Sequence, residues 1–409
     1  MAATPPATTD AKHPRGSALE VLFIFLRLGL TSFGGPIAHL GYFRAEFVAR
    51  RRWLSEQSFA ELVAIAQSLP GPASSQTGYM IGLLRAGLPG GLAAWLGFST
   101  PSAVLMLAFA FGHSLFTGRL GSSLLHGLQL AAVAVVGQAV LAMRRTLAPD
   151  LPRLILALIA VAITLFAPAS IGTLLAIALG ALLGLTLSTP TDAPQLTFPA
   201  PLSRRAALIA AALFCALILL CIAVRSNDIT PLTLFSRFAR SGALVFGGGH
   251  VVLPMLESAV VSPHWIPQPT FLAGYGAAQA LPGPLFTFAA FLGVSIGSTQ
   301  PHPHPIALGI TALIAIFLPG LLLCTAVLPF WTAIRSHPSI RRAMNGINAA
   351  VVGILAAALI RPVASSTVHT WLDLGLAIAA FFALVFWKLP PWLVVLATAA
   401  LTLLAAVAR

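Results

Sequence analysis

Charge is what this 409-residue chain has least of: 8% of its residues are Asp, Glu, Lys or Arg, against about 25% in ordinary soluble domains. With 58% hydrophobic residues and a mean hydropathy of +0.93, that shortage excludes a soluble globular fold and indicates a polytopic membrane protein. Acids are the scarcer sign, ten Asp and Glu against 23 Lys and Arg. A net charge of +13 in a soluble protein would point to nucleic acid. Here the basic residues stand mostly between apolar runs, where they set topology, so no nucleic-acid partner is expected.

Cysteine is sparse as well. Cys215, Cys221 and Cys324 lie inside apolar runs, and their odd number and spacing give no metal site, so they read as small buried apolar residues. His302-Pro303-His304 is too short a tract to hold a metal. Neither a metal nor a cofactor is expected. An intramembrane enzyme needs a catalytic constellation, and the chain has no His-Glu metal motif, Ser-Lys dyad or dense set of membrane acids. Residues 1–17, rich in Ala, Thr and Pro, lack the apolar core of a signal peptide and read as a disordered tail.

What is present is a series of apolar runs, each able to span a bilayer at about 20 residues. They lie near 18–42, 89–117, 121–143, 154–188 (a pair), 206–224, 232–258, 269–299, 306–332, 343–360 and 370–408 (a second pair). A further segment, 57–86, is broken at Gln67-Ser68-Leu69-Pro70-Gly71-Pro72-Ala73-Ser74-Ser75-Gln76, where prolines remove backbone donors that a helix in lipid needs. The same device recurs at Gln279-Ala280-Leu281-Pro282-Gly283-Pro284. Each copy follows a second break, Phe33-Gly34-Gly35-Pro36 and Phe246-Gly247-Gly248-Gly249. Matched pairs of interrupted apolar segments point to a transporter's binding site.

The two parts of the chain repeat one another. With Phe33-Gly34-Gly35 laid on Phe246-Gly247-Gly248, His39 falls on His250, Glu46 on Glu257, Trp53 on Trp265, Phe59 on Phe271 and Gln67 on Gln279. An ordered match of rare residues indicates duplication. The expected domains are a first repeat over 18–188, a linker over 189–229 holding one extra helix at 206–224, and a second repeat over 230–409. That extra crossing inverts the second copy relative to the first.

The fold class is therefore all-α and polytopic, with two inverted-topology repeats. The basic cluster Arg44, Arg50, Arg51 and Arg52 shares a face with Arg85 only if both broken segments are re-entrant hairpins, which gives about nine full crossings; full crossings at the breaks would give about thirteen segments. The positive-inside rule then puts the N-terminus in the cytoplasm and the C-terminus outside.

The motif set resembles that of the chromate ion transporter family in its two-domain, long-chain form. The residues that carry the likeness are Phe33-Gly34-Gly35-Pro36, His39, Tyr42-Phe43-Arg44, Leu69 to Gln76 and Arg85-Ala86-Gly87. In the second part they are Phe246 to Pro254, Gly274 to Gln279 and Pro282 to Phe288. The resemblance covers about 18–408. It implies an inner-membrane carrier that exports chromate, driven by the proton motive force, with sulfate as another cargo. Membrane lipid and a second copy of the chain, in a homodimer, complete the expected partners.

A tetrahedral dianion loses hydration that apolar walls cannot replace, so fixed donors have to do so. Helix N-termini beside glycine-rich breaks supply free N–H groups. Gly34, Gly35, Gly71, Gly247, Gly248 and Gly283 are therefore candidate ligand-facing positions, with Ser74, Ser75 and Gln76 beside the first Pro-Gly-Pro break. The mirrored turn, Leu285-Phe286-Thr287-Phe288, keeps one hydroxyl among apolar bulk and reads as a wall or gate. Gln67 and Gln279 are candidates to bond unwound carbonyls or the ligand. Arg27, a guanidinium inside an apolar run, must meet an anion or a partner such as Glu61. Glu61 is a candidate proton carrier, as are His39 with Glu46 and His250 with Glu257, each pair spaced to share one helix face.

Overall fold

All regular structure among the described residues is helical, as a chain that cannot leave backbone groups unpaired in lipid requires. The structure is a computed structural model that describes residues 16–112, 118–167, 169–187, 202–224, 226–246, 249–299, 304–331, 334 and 337–407. Most of the expected tail, most of the 189–204 linker, the His302-Pro303 part of the histidine tract, and Gly247 and Gly248 lie outside the described residues.

The opening helices are short. α1 (Ala18–Thr31) begins on Ser17, whose hydroxyl accepts from the Glu20 amide at 3.0 Å. α2 (Gly35–Phe43) continues as a π-helical stretch, Arg44–Arg50. α3 (Glu56–Ser68) follows a Ser55 cap, and α4 (Ala73–Gly112) breaks at Ala86-Gly87 into two arms.

Ion pairs show that these segments return to the face they left. Glu20, in the first turn of α1, meets Arg51 at 3.7 Å and Arg85, at the end of the first arm of α4, at 3.2 Å. Arg85 also stacks on Trp53 at 4.5 Å. The start of α1, the end of α2, the entry to α3 and the end of that arm therefore share one face. Both broken segments fold back on themselves, the arrangement that the re-entrant alternative expects. At the same face Arg44 bonds Glu56 at 2.8 Å, and this hydrogen bond holds the exposed Glu56 carboxyl below the usual carboxylate range.

The second arm of α4 is followed by α5 (Gly118–Leu147), α6 (Leu151–Phe166), α7 (Ala169–Leu187) and α8 (Arg204–Ala223). These five helices lead to the second set of broken segments. There α9 (Pro231–Ala243) and α10 (Val252–Leu256) form the third broken arm, α10 being entered by a 3₁₀ turn from Gly249 and continued by a π-helical stretch, Glu257–Val261. The open end is tied by Arg237, which donates to the Ala259 carbonyl at 3.0 Å and to Asn227 Oδ1 at 2.6 Å. α11 (Gln268–Ala280) and α12 (Phe288–Gly297) make the fourth arm. α13 (Pro305–Val327), α14 (Pro338–Ala358), α15 (Trp371–Val385) and α16 (Pro391–Val407) complete the chain. α4, α5, α8, α13 and α14 are long and apolar enough to span a membrane; α6, α7, α15 and α16 are apolar and shorter.

The two parts of the chain interlock. Gly127 of α5 lies against Ala399 and Thr402 of α16, whereas Gly346 of α14 lies against Gly184 of α7, so close that a Cβ at 346 would fall 2.6 Å from the Gly184 Cα. Each long inner helix thus packs on the closing pair of the other part, as small residues at membrane helix crossings allow. One cysteine departs from expectation: Cys221 and Cys324 are buried, but Cys215 is exposed, because most of α8 faces outward.

Candidate functional site

The four breaks meet between the two parts of the chain. Gly71 N–H donates to the Val245 carbonyl at 2.7 Å, and Gly283 N–H donates to the Ser32 carbonyl at 2.9 Å. Ser32 and Val245 each immediately precede a Phe-Gly-Gly sequence. Those two breaks also touch: a Cβ at Gly249 would lie 3.1 Å from Pro36 Cγ. Gly71 has φ +129 and Gly283 φ +96, a region that side-chain-bearing residues rarely adopt. Gly71 abuts Gly320 within α13, and Gly283 abuts Phe98 and Ser102 within the second arm of α4. The breaks are therefore enclosed between crossing helices, away from the helix ends.

Polar groups gather there. The first turn of α4, Ala73-Ser74-Ser75-Gln76, is buried throughout. Gln76 Nε2 donates at 2.8 Å to the Pro70 carbonyl, which the break has stripped of a helical donor. Ser74 Oγ lies 3.4 Å from His39 Nδ1. Among the described residues five buried atoms here have no hydrogen-bond partner: Ser32 Oγ, His39 Nε2, Ser75 Oγ, Gln76 Oε1 and Gln279 Nε2. An unpaired buried polar atom costs about 1–3 kcal/mol, a cost that a polar ligand able to bond these groups would relieve.

The mirrored turn is closed instead. Thr287 is fully buried, donates to the Pro284 carbonyl at 2.9 Å and shares a 2.6 Å hydrogen bond with Ser102 Oγ. Phe286 packs on Phe317, with ring centroids 5.7 Å apart. His250 Nδ1 meets the Tyr275 hydroxyl at 3.1 Å, not a serine.

Of the sequence candidates, Gly34, Gly35, Gly71, Gly283, Ser74, Ser75, Gln76, Gln279, His39 and His250 lie at or beside this convergence, while Gly247 and Gly248 fall outside the described residues. Gln67 does not match Gln279: it is exposed on the last turn of α3, whereas Gln279 is buried. Arg27 and Glu61 are not a pair. Arg27 lies on the exposed side of α1 with Leu19, Phe23 and Leu30, and buried Glu61 accepts from Trp331 Nε1 at 2.6 Å.

His39 and Glu46 do not act as one face either. The helix passes from α to π geometry between them, which removes the regular two-turn alignment. Glu46 sits at the open end of the hairpin, bonded to Arg50 at 3.0 Å and Arg51 at 2.7 Å. The same change of geometry separates His250 from Glu257. Ser32, Tyr275, Ser102 and Trp331 were not singled out by the sequence. The polar tips of Tyr275 and Trp331 within apolar runs were the available signal.

Broken helices whose interruptions meet between long apolar helices define a multi-pass membrane transport protein. Comparison supplies the particular family. The profile of the family described as Chromate transporter matches residues 19–185 and 232–403, and the chain belongs to that family. It is 30% identical over 359 residues to the chromate transport protein of Pseudomonas aeruginosa, covering 87% of this chain and 83% of the relative. It is 27% identical to a probable chromate transport protein of Synechococcus elongatus, covering 85% of each. The chromate transport protein of Cupriavidus metallidurans is 25% identical, over 87% of this chain and 86% of its own length. No solved structure matches the chain significantly.

Proposed function

We propose that this protein is a secondary carrier that exports chromate across the cell inner membrane and so confers chromate resistance, with the dianion held where the four breaks converge. The observation that carries the reading is the exchanged pair of backbone bonds, Gly71 to Val245 and Gly283 to Ser32, with unpartnered Ser32 Oγ, Ser75 Oγ and Gln279 Nε2 beside it. Those three groups are donors, as an oxyanion demands. The first turn of α4 adds backbone N–H groups and the positive end of a helix dipole. Gln76 serves the break rather than the ligand, since its N–H is used on Pro70 and its free oxygen is an acceptor. Sulfate shares the same tetrahedral dianion chemistry and is the natural second cargo.

The odd number of crossings between the first and second hairpin pairs supports inverted repeats, the arrangement that lets one site open alternately to either side. The excess of arginine on the face of the first hairpins supports a cytoplasmic N-terminus and a periplasmic C-terminus. The test is uptake of labelled chromate into inverted vesicles, with sulfate as competitor and with the proton gradient collapsed. A carrier gives saturable uptake that sulfate reduces and that collapse of the gradient abolishes. Flux that never saturates and ignores the proton gradient would instead describe a channel.

A further inference from the structure

The two π-helical stretches occupy corresponding places, each a few residues beyond a Phe-Gly-Gly break, and each carries a glutamate, Glu46 in one and Glu257 in the other. Their surroundings differ. Glu46 is held by Arg50 and Arg51; the corresponding residues of the second copy are Val261 and Ser262, so Glu257 has no such cations. The remaining described acids are all engaged. Glu20 pairs with Arg51 and Arg85, Glu56 with Arg44, Asp150 with Arg153 and Asp373 with His126. Glu61 accepts from Trp331, and Asp228 from Ser226. Among the described residues, only the Glu257 carboxylate has neither an ion pair nor a hydrogen bond.

It lines a cavity of about 240 Å³ together with Ser258, Ser262, Thr164, Thr173 and Arg361. The α6–α7 turn supplies the threonines, of which Thr164 has a buried and unpartnered hydroxyl. Arg361 comes from the point where the chain leaves helical geometry after α14, at φ −143 and ψ 115. Among the described residues no other charged side chain lines the cavity. Arg237, from α9, is occupied with Ala259 and Asn227 and stacked on Trp265. α11 contributes no charge, and His250, at the far end of α10, is engaged with Tyr275.

We infer that Glu257 is the carboxylate that takes up and releases the proton coupled to anion movement, a role that rests on the secondary-carrier reading above. A carboxylate without a counter-cation between apolar helices is costly when charged. Its charge therefore depends on whether the cavity is open to water. Protonated, it is a neutral donor that the neighbouring hydroxyls can satisfy; deprotonated, it is drawn to Arg361 across the cavity. Glu257 lies on the hairpin that begins at Val245, the residue bonded to Gly71. Gain or loss of the proton thus acts on the arm that closes the first Pro-Gly-Pro break.

The test uses the full chain in proteoliposomes. Wild type is expected to accumulate chromate against its gradient when a pH gradient is imposed, and to show chromate counterflow. Glu257→Gln mimics the protonated state: accumulation is lost while counterflow persists, which also certifies a folded carrier, and Glu257→Asp restores part of the accumulation. Wild-type accumulation by Glu257→Gln overturns the assignment. Absence of saturable chromate flux in wild type would instead overturn the carrier reading on which it rests. Should Glu257→Gln fail to insert, carbodiimide labelling of wild-type vesicles decides, since that reagent modifies protonated carboxyls in apolar settings. Label on Glu257 that falls as pH rises supports the inference, and label confined to other acids overturns it.

Discussion

The amide of Gly71 reaches the carbonyl of Val245 at 2.7 Å, so a break in the first part of the chain is closed by backbone from the second. Gly283 and Ser32 make the reciprocal contact at 2.9 Å. Gly71→Ala attacks this bond in two ways. A side chain at φ +129 stores about 1–3 kcal/mol of backbone strain. The added Cβ would also lie 2.7 Å from Gln76 Nε2, displacing it from the Pro70 carbonyl. Thermal unfolding in detergent is expected to shift downward and chromate flux to disappear. Gly283→Ala should behave alike, with Ser102 as the crowded neighbour at 3.0 Å.

Trp331 joins the end of α13 to buried Glu61 in α3 through a 2.6 Å hydrogen bond. Trp331→Phe keeps most of the ring area and removes the donor. The loss expected is about 1–3 kcal/mol, the cost of weakening the bonding of a buried acceptor. Measured unfolding midpoints for wild type, Trp331→Phe and the double variant with Glu61→Gln check it. If the bond matters as described, the second substitution adds less in the Phe background than in wild type.

Sidedness is testable by labelling. Gln57, at the start of α3, is exposed at the open end of the first pair of hairpins, and Ser298, after α12, is exposed at the open end of the second pair. On the proposed topology five crossings separate the pairs. In a Cys215→Ser background, Gln57→Cys is expected to react with a membrane-impermeant thiol reagent from one face only. Ser298→Cys should react only from the other. Labelling of both from the same side would remove the inverted arrangement.

The repeated breaks were legible because Pro-Gly-Pro inside an apolar run has few structural explanations, and a buried backbone that cannot pair internally must pair elsewhere. The hairpins followed from where Arg44, Arg50, Arg51 and Arg85 had to lie. The partners were not legible. Arg27 and Glu61 looked matched because each is a charge in an apolar segment, yet which side of α1 faces inward is decided by packing of Gly29 against Gly97 and Phe98, a contact that local sequence does not carry. Likewise, a seven-residue spacing implies a shared face only in a regular helix, and π-helical geometry enters unannounced at Arg44 and Glu257. The exchange of Gly71 and Gly283 between the two parts needed three-dimensional coordinates, because its partners, Val245 and Ser32, offer only a carbonyl.

Ser75 and Ser102 separate a ligand-binding hydroxyl from a structural one. Both are buried. Ser102 shares a 2.6 Å bond with Thr287, which also donates to the Pro284 carbonyl, so Ser102→Ala removes one of the two bonds at Thr287 and is expected to cost about 1 kcal/mol of stability. Ser75 Oγ has no partner within the protein; replacing it with a methyl group removes an unmet polar atom and should leave stability equal or slightly higher. If that hydroxyl instead bonds the anion, Ser75→Ala loses a charge-assisted hydrogen bond worth about 1.5–3 kcal/mol. Chromate affinity should then fall about 10-fold to 100-fold, at 1.4 kcal/mol for each factor of ten. Thermal midpoints with and without chromate distinguish the two serines: stabilisation by chromate should survive Ser102→Ala and shrink in Ser75→Ala. Equal stabilisation of Ser75→Ala and wild type would take Ser75 out of the site, and with it the argument that the first turn of α4 receives the dianion.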